Sequence, residues 1–173
     1  MPVIGSLDEP LLAELLAYWS QQRQGRFAPA RRDIDPVDIP QLLPHVALTE
    51  IIHSGDGTAP RFRYRLAGTQ IEERFGCSLT NRFLDELKRG AYLDFIEELY
   101  ARMMAEKVPI YSENTFETDD LNKLQAKRLM LPLSDDGETV NMVLAGVIYV
   151  DSNPNYRSTI LALQDRASES ENC

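Results

Sequence analysis

The chain has 173 residues, a formal net charge of -9 and 43% hydrophobic residues. That is one domain's worth of sequence, long enough to bury a core without disulfide or metal support, and the composition excludes a disordered chain, a collagen-like repeat and a disulfide-rich miniprotein. The acidic balance argues against duplex binding, which needs a basic surface to neutralise phosphates; the arginine run from Arg23 to Arg32 is short and interrupted by Pro29.

Leu7 to Gln24 is expected to be a helix, because Leu11, Leu12, Leu15, Leu16 and Trp19 fall on one helical face. Pro10 suits a first helical position and Gly25 a stop. The stripe alone leaves two readings open: a helix packed on its own domain, or a dimerisation helix. Pro29, Pro36, Pro40 and Pro44 exclude long regular structure after it, leaving short helical turns at 36–39 and 40–43. Val46 to Ile52 is rich in β-branched residues and predicts a strand. The HSGDGTAP stretch at 53–60 predicts a turn-rich connection.

Arg61 to Leu66 alternates cleanly, with Phe62, Tyr64 and Leu66 facing one way and three arginines the other. Short helical pieces are expected around 70–75 and 82–87, broken by Gly76, and a long helix from Ala91 to Glu106 with Tyr92, Phe95, Ile96, Leu99 and Met103 on one face. Three strands follow, at 110–118, 123–133 and 139–150, linked by turns short enough to force antiparallel neighbours. Met142 to Val150 is apolar on both faces, as a central strand must be. A short helix is expected at 157–166 and a frayed acidic tail beyond. The order predicts an α+β fold with a five-stranded antiparallel sheet, helices on one face and a flanking N-terminal helix. The division is 1–45 as helix and proline-rich lead-in, 46–150 as core and 151–173 as C-terminal extension.

The stretches LLAYW, PARRDIDPVDIPQLLPHVAL, RFRYRLAGTQIEERFG and KRLMLPLSDDG resemble those of free-standing bacterial PAS-like proteins, over about Leu7 to Val150. The resemblance implies the PAS fold, with a cavity between sheet and helices, and a role in sensing or dimerisation. Because 23 residues remain after Val150, no output domain is expected in this chain, and a signal would leave by protein contact.

Two PAS cofactor chemistries can be tested on residues. Flavin photosensors of the superfamily carry a cysteine inside Asn-Cys-Arg-Phe, whereas this chain has Asn81, Arg82, Phe83 and Leu84 in succession. Haem-binding members supply a histidine from the long helix, which has none; His45 and His53 flank the first strand instead. No cofactor and no metal are therefore expected. Cys77 and Cys173 form no CxxC or zinc spacing, and Cys77 reads as a small packed thiol. The paired carboxylates Glu72/Glu73, Glu97/Glu98, Asp119/Asp120 and Asp135/Asp136 either diverge on helices or sit in turns, and no catalytic motif is present, so an enzyme is not expected. Ligand-pocket candidates are Tyr64, Phe75, Tyr92, Phe95, Leu99, Met103, Tyr111, Met130 and Met142. Dimer-interface candidates are Leu11, Leu12, Leu15, Leu16 and Trp19.

The resulting expectation is a stand-alone PAS-type sensory or regulatory module that binds a small molecule, a protein partner or both. It would be a homodimer, with no nucleic-acid or membrane partner. The alternative is a ligand-free interaction or scaffold domain; an enzyme ranks third. The N-terminus lacks the basic region and apolar core of a signal peptide, and no stretch has the roughly 18 consecutive apolar residues of a membrane helix, so a cytoplasmic location is expected.

Overall fold

The structure is a computed structural model and describes residues 7–87, 91–117 and 123–151, with side chains apart from those at 91–92, 115–117, 123–124 and 151. The helix expected at 157–166 and the acidic tail lie outside the described residues. Helix α1 spans Pro10–Gln22. Proline opens it because its missing N–H would be unsatisfied there anyway. Gln24 and Gly25 leave it with φ of 48° and 81°, the left-handed geometry of a helix stop.

Strands β1 (Val46–Ile52) and β2 (Arg61–Ala67) follow the proline-rich lead-in. Next come helices α2 (Thr69–Phe75) and α3 (Ala91–Glu106), then strands β3 (Ile110–Glu117), β4 (Lys123–Leu133) and β5 (Met142–Asp151). The five strands form one antiparallel sheet in the order β2-β1-β5-β4-β3, so β5 is central.

Period-2 alternation splits the sheet residues between two cores. The inner face carries Ala47, Ile51, Phe62, Tyr64, Met130, Val143, Ala145 and Val147, covered by α2, α3 and a short turn at Leu84–Glu86. The outer face carries Val46, Leu48, Leu129, Leu131, Leu133, Met142 and Leu144, covered by α1 and by Ala28, Ile34, Ile39 and Leu42 of the lead-in. The flanking helix thus lies on the face opposite α2 and α3. Leu12, Leu15 and Trp19 are buried within the chain, while Leu11 and Leu16 are half-buried at the helix edge. Of the two readings of the stripe, the structure takes the intramolecular one. Gly146 of β5 makes the close approach possible, because a Cβ there would lie 2.7 Å from Leu15 Cδ2 and 2.8 Å from Leu12 Cδ2. The indole N–H of Trp19 donates to the carbonyl of Pro132 at 2.8 Å, which satisfies the polar tip of a buried ring.

The lead-in makes three single helical turns, at Arg31–Asp33, Pro36–Asp38 and Leu43–His45. Side chains pin it. Tyr18 Oη accepts from the Asp35 N–H at 2.9 Å and donates to Asp38 at 3.2 Å. Arg26 binds Asp33 at 2.7 Å, and Arg31 Nη1 donates to the Ile34 carbonyl at 2.9 Å. Both of these arginines thus serve the local fold. The Ser134 N–H donates to the Pro29 carbonyl at 2.9 Å, and the Arg31 N–H to Asp135 at 3.1 Å, tying the lead-in to the β4–β5 turn.

Two details depart from the sequence pattern. A β-bulge shifts the β1–β2 register, so that Thr49 pairs with Tyr64 but Leu48 with Leu66. The extra residue, Arg65, moves Leu66 off the face of Phe62 and Tyr64 and leaves it 39% exposed. The arginines of β2 are ion-paired: Arg63 and Arg65 to Glu50, and Arg61 to Asp85.

Three outcomes follow from this packing. Leu15→Ala should cost about 2–5 kcal/mol, measured by urea unfolding, since it opens a cavity over Gly146; Leu15→Glu should abolish cooperative unfolding instead of releasing folded monomers. Gly68→Ala should be at least as damaging, because a Cβ there would sit 2.3 Å from the carbonyl oxygens of Leu43 and Pro44, which are backbone and cannot swing away.

The third concerns acid. Asp136 accepts from the Thr139 hydroxyl, the Thr139 and Glu138 N–H groups and the Ser134 hydroxyl, and these bonds hold its carboxyl below the usual range. The Arg26 guanidinium does the same for Asp33. A depressed folded value stabilises the fold above the ordinary Asp pKa of about 3.9 and loses that contribution as the pH falls below it. Thermal midpoints should therefore drop progressively below about pH 4, and Asp136→Asn should flatten that drop.

Candidate functional site

Between the inner face of the sheet and the helical layer lies a cavity of about 20 Å³. That is room for about one water molecule. Its helical wall comes from i, i+4 pairs: Ile71 and Phe75 on α2, Ile96 and Tyr100 on α3. Its sheet wall comes from alternate residues of four strands: Ala47 on β1, Tyr64 on β2, Arg128 and Met130 on β4, and Ala145, Val147 and Tyr149 on β5.

The lining is apolar with a few placed polar groups, as small-molecule sites are. Tyr100 stacks on Phe62 with ring centroids 4.6 Å apart and shares a buried 2.8 Å hydrogen bond with the Thr49 hydroxyl. Arg128 is 4% exposed, a cationic side chain inside the domain. Its pairing partners are Ser112 on β3 and Val147 on β5. Two pairs further along, and so on the same face, Asn114 opposes Ala126, which opposes Tyr149. Arg74 of α2 lies over the Tyr149 ring, its Cζ 5.2 Å from the centroid. Buried Ser112 Oγ and Asn114 Oδ1 have no hydrogen-bond partner among the described residues.

Of the sequence candidates, the structure brings Tyr64, Phe75 and Met130 together in the lining. Leu99 and Met103 are buried in the same core, and Phe95 packs against it, without lining the cavity. Tyr111 and Met142 lie on the opposite face, in the α1 layer, because their registers give them the parity of Leu129 and Leu133. Tyr111 donates to Glu113 there at 2.5 Å, and burial together with that carboxylate raises its pKa. The side chain of Tyr92 lies outside the described residues.

Sequence reasoning missed Arg128, Tyr100 and Tyr149. Arg128 stands two residues before Met130 in a strand, and Tyr100 four residues after Ile96 in a helix, so period counting could have found both. His45 and His53 do not line the cavity. Asn81 and Arg82 are used in backbone bonds with Tyr64 on the edge of β2. Cys77 packs half-buried against the inner core. No cluster of three metal-ligating side chains occurs among the described residues.

A larger concavity, about 360 Å³, opens between Pro60, Arg61, Phe62, Asp85, Glu97 and Met104. Its basic group is already engaged: Arg61 makes a two-pronged bond with Asp85 at 2.7 and 2.8 Å and lies 3.7 Å from the Phe83 ring centroid.

The sequence profile described as PAS domain matches residues 7–148. The chain belongs to the PAS domain family. The match includes α1 and the lead-in, so the outer layer is part of this PAS domain's own pattern. No curated protein matches the sequence. Among solved structures it is similar to a light-oxygen-voltage domain studied with a flavin analogue, at 10% identity and a TM-score of 0.44, covering 76% of this chain and 93% of that one. The blue-light photoreceptor Aureochrome1 LOV domain in its light state matches at 10% identity and a TM-score of 0.40, covering 74% and 96%. An RNA-binding light-oxygen-voltage receptor matches at 14% identity and 0.39, covering 82% of this chain and 40% of that one. PAS domains are sensory and signalling modules. No helix among the described residues of this one is long and apolar enough to cross a membrane.

The Thr49–Tyr100 bond links sheet and helix beside the cavity. Tyr100→Phe leaves the Thr49 hydroxyl buried and unanswered, so it should cost about 1–3 kcal/mol in chemical denaturation. Thr49→Val combined with Tyr100→Phe should recover part of that loss.

Proposed function

We propose that this PAS domain is a sensory or regulatory module of signal transduction. It takes a small molecule into the cavity between the sheet and α2 and α3, and passes the change on by contact with a protein partner. The observation that carries this reading is the composition of the cavity wall: a buried arginine and three tyrosines set in an otherwise apolar lining.

The reading assigns no catalysis, because the sole charged group of the lining is Arg128 and no acid–base pair converges there. The homodimer expected from the α1 stripe is not part of it, since Leu12, Leu15 and Trp19 are buried within the chain.

A second reading, a ligand-free interaction domain, is favoured by the cavity's volume of about 20 Å³. Native mass spectrometry of the purified protein separates the two. The sensory reading predicts a non-covalent mass excess that is lost on denaturation, or a saturable rise in melting temperature with some member of a metabolite panel. The bare chain mass together with no shift across the panel would favour the interaction domain.

A further inference from the structure

We propose that a small molecule reaches the cavity by way of the larger surface concavity, and that the stacked rings of Phe62 and Tyr100 are the gate between the two. This rests on the reading of the cavity as a ligand site. The two spaces share a wall. Phe62 lines the concavity of about 360 Å³, and Tyr100 lines the cavity of about 20 Å³. Their rings stack with centroids 4.6 Å apart and planes 17° from parallel. Each ring thus borders one of the two spaces, and the pair stands between them.

The sheet wall of the cavity cannot part. It comes from β2, β1, β5 and β4, four neighbouring strands whose backbones are paired with one another, and separating them would strand buried backbone groups. A side-chain wall can yield, but only where there is room, because interiors are close-packed. The concavity supplies that room beside Phe62. Its lining there is small or pliable: Ala59, Ala101 and the half-buried Met104, whose unbranched thioether adapts to a moving neighbour. The mouth itself is fixed, since Arg61, next to Phe62 in β2, grips Asp85 with two bonds of 2.7 and 2.8 Å. The rival route runs past Phe75 at the end of α2, which lines the cavity but not the concavity.

The gate has a latch. Tyr100 Oη and Thr49 Oγ1 share a buried hydrogen bond of 2.8 Å, so the Tyr100 ring cannot swing away from the sheet without breaking it. The strength of that bond thereby sets how often the two spaces join.

The test is the rate at which a thiol placed in the cavity meets a small neutral reagent. Ala145 lines the cavity on the central strand, and Ala145→Cys adds one sulfur atom to it. Ala47→Cys, at the paired position of β1, serves if that variant does not fold. The full chain is treated with methyl methanethiosulfonate, and peptide mass spectrometry follows labelling at this position separately from Cys77 and Cys173. In this background Phe62→Leu should raise the labelling rate about tenfold, the value of a lost aromatic pair. Thr49→Val should raise it about two- to tenfold, the value of one hydrogen bond, and decides the matter if Phe62→Leu does not fold. Phe75→Leu should leave the rate unchanged. Acceleration by Phe75→Leu equal to or above that by Phe62→Leu overturns the proposal, as do rates that merely follow each variant's stability in urea. Either failure concerns the route and leaves the sensory reading standing. A bare chain mass in the native spectrum counts against the sensory reading and does not alter these rates.

Discussion

Strand β5 has to be covered on both faces, and the rest of the molecule is arranged around that requirement. From Met142 to Val147 every residue is apolar or glycine and buried. Its odd residues enter one core and its even residues the other. Burying a Val, Leu or Met side chain contributes roughly 1.5–3 kcal/mol, so stripping either layer would expose several such increments at once. This explains why a segment with four prolines is nonetheless fixed. It cannot form a helix or strand, but it carries Ala28, Ile34, Ile39 and Leu42 onto the outer face beside α1. Its turns satisfy their polar groups through Tyr18, Arg26, Asp33 and the β4–β5 turn.

The outer face is closed by α1 and the lead-in, and the inner face by α2 and α3. The inner layer holds the buried Thr49–Tyr100 bond and Arg128. Arg128 stands in the wall of the cavity, between Ser112 of β3 and Val147 of β5.

How much of this was legible varied with the kind of information needed. The bounds of β1, α3 and β4 followed from local pattern, and the antiparallel order of β3, β4 and β5 from the short turns between them. The side of the sheet that α1 covers was not legible from its own stripe, which serves a sheet or a second copy equally well. The signal lay elsewhere, in Leu129, Leu131 and Leu133, whose common parity calls for a second apolar layer. Nothing local marks the bulge at Arg65, so Leu66 could not be removed from the inner face by pattern alone. In the site, Tyr64, Phe75 and Met130 were found because aromatic and thioether side chains read as lining. Arg128 was passed over because a charge on an amphipathic strand reads as solvent-facing. Tyr111 and Met142 were placed by residue type, and type carries no parity; only the register assigns a face.

The two layers are joined at one point where the chain has no slack. Gly68, which precedes α2, donates its N–H to the Val46 carbonyl at 2.8 Å, and its Cα is set so closely against the carbonyls of Leu43 and Pro44 that no side chain fits. Leu43 and Pro44 belong to the turn that ends the lead-in, and Leu43 packs against the outer core. Helix α2, which carries Ile71 and Phe75 into the cavity wall, therefore stands on a segment of the opposite layer. A soft contact would absorb a shift of α2 locally. A backbone-to-backbone contact held by a hydrogen bond has no side chain to give way. Helix α2 and the Leu43–His45 turn are thus joined through backbone, with no flexible side chain between them.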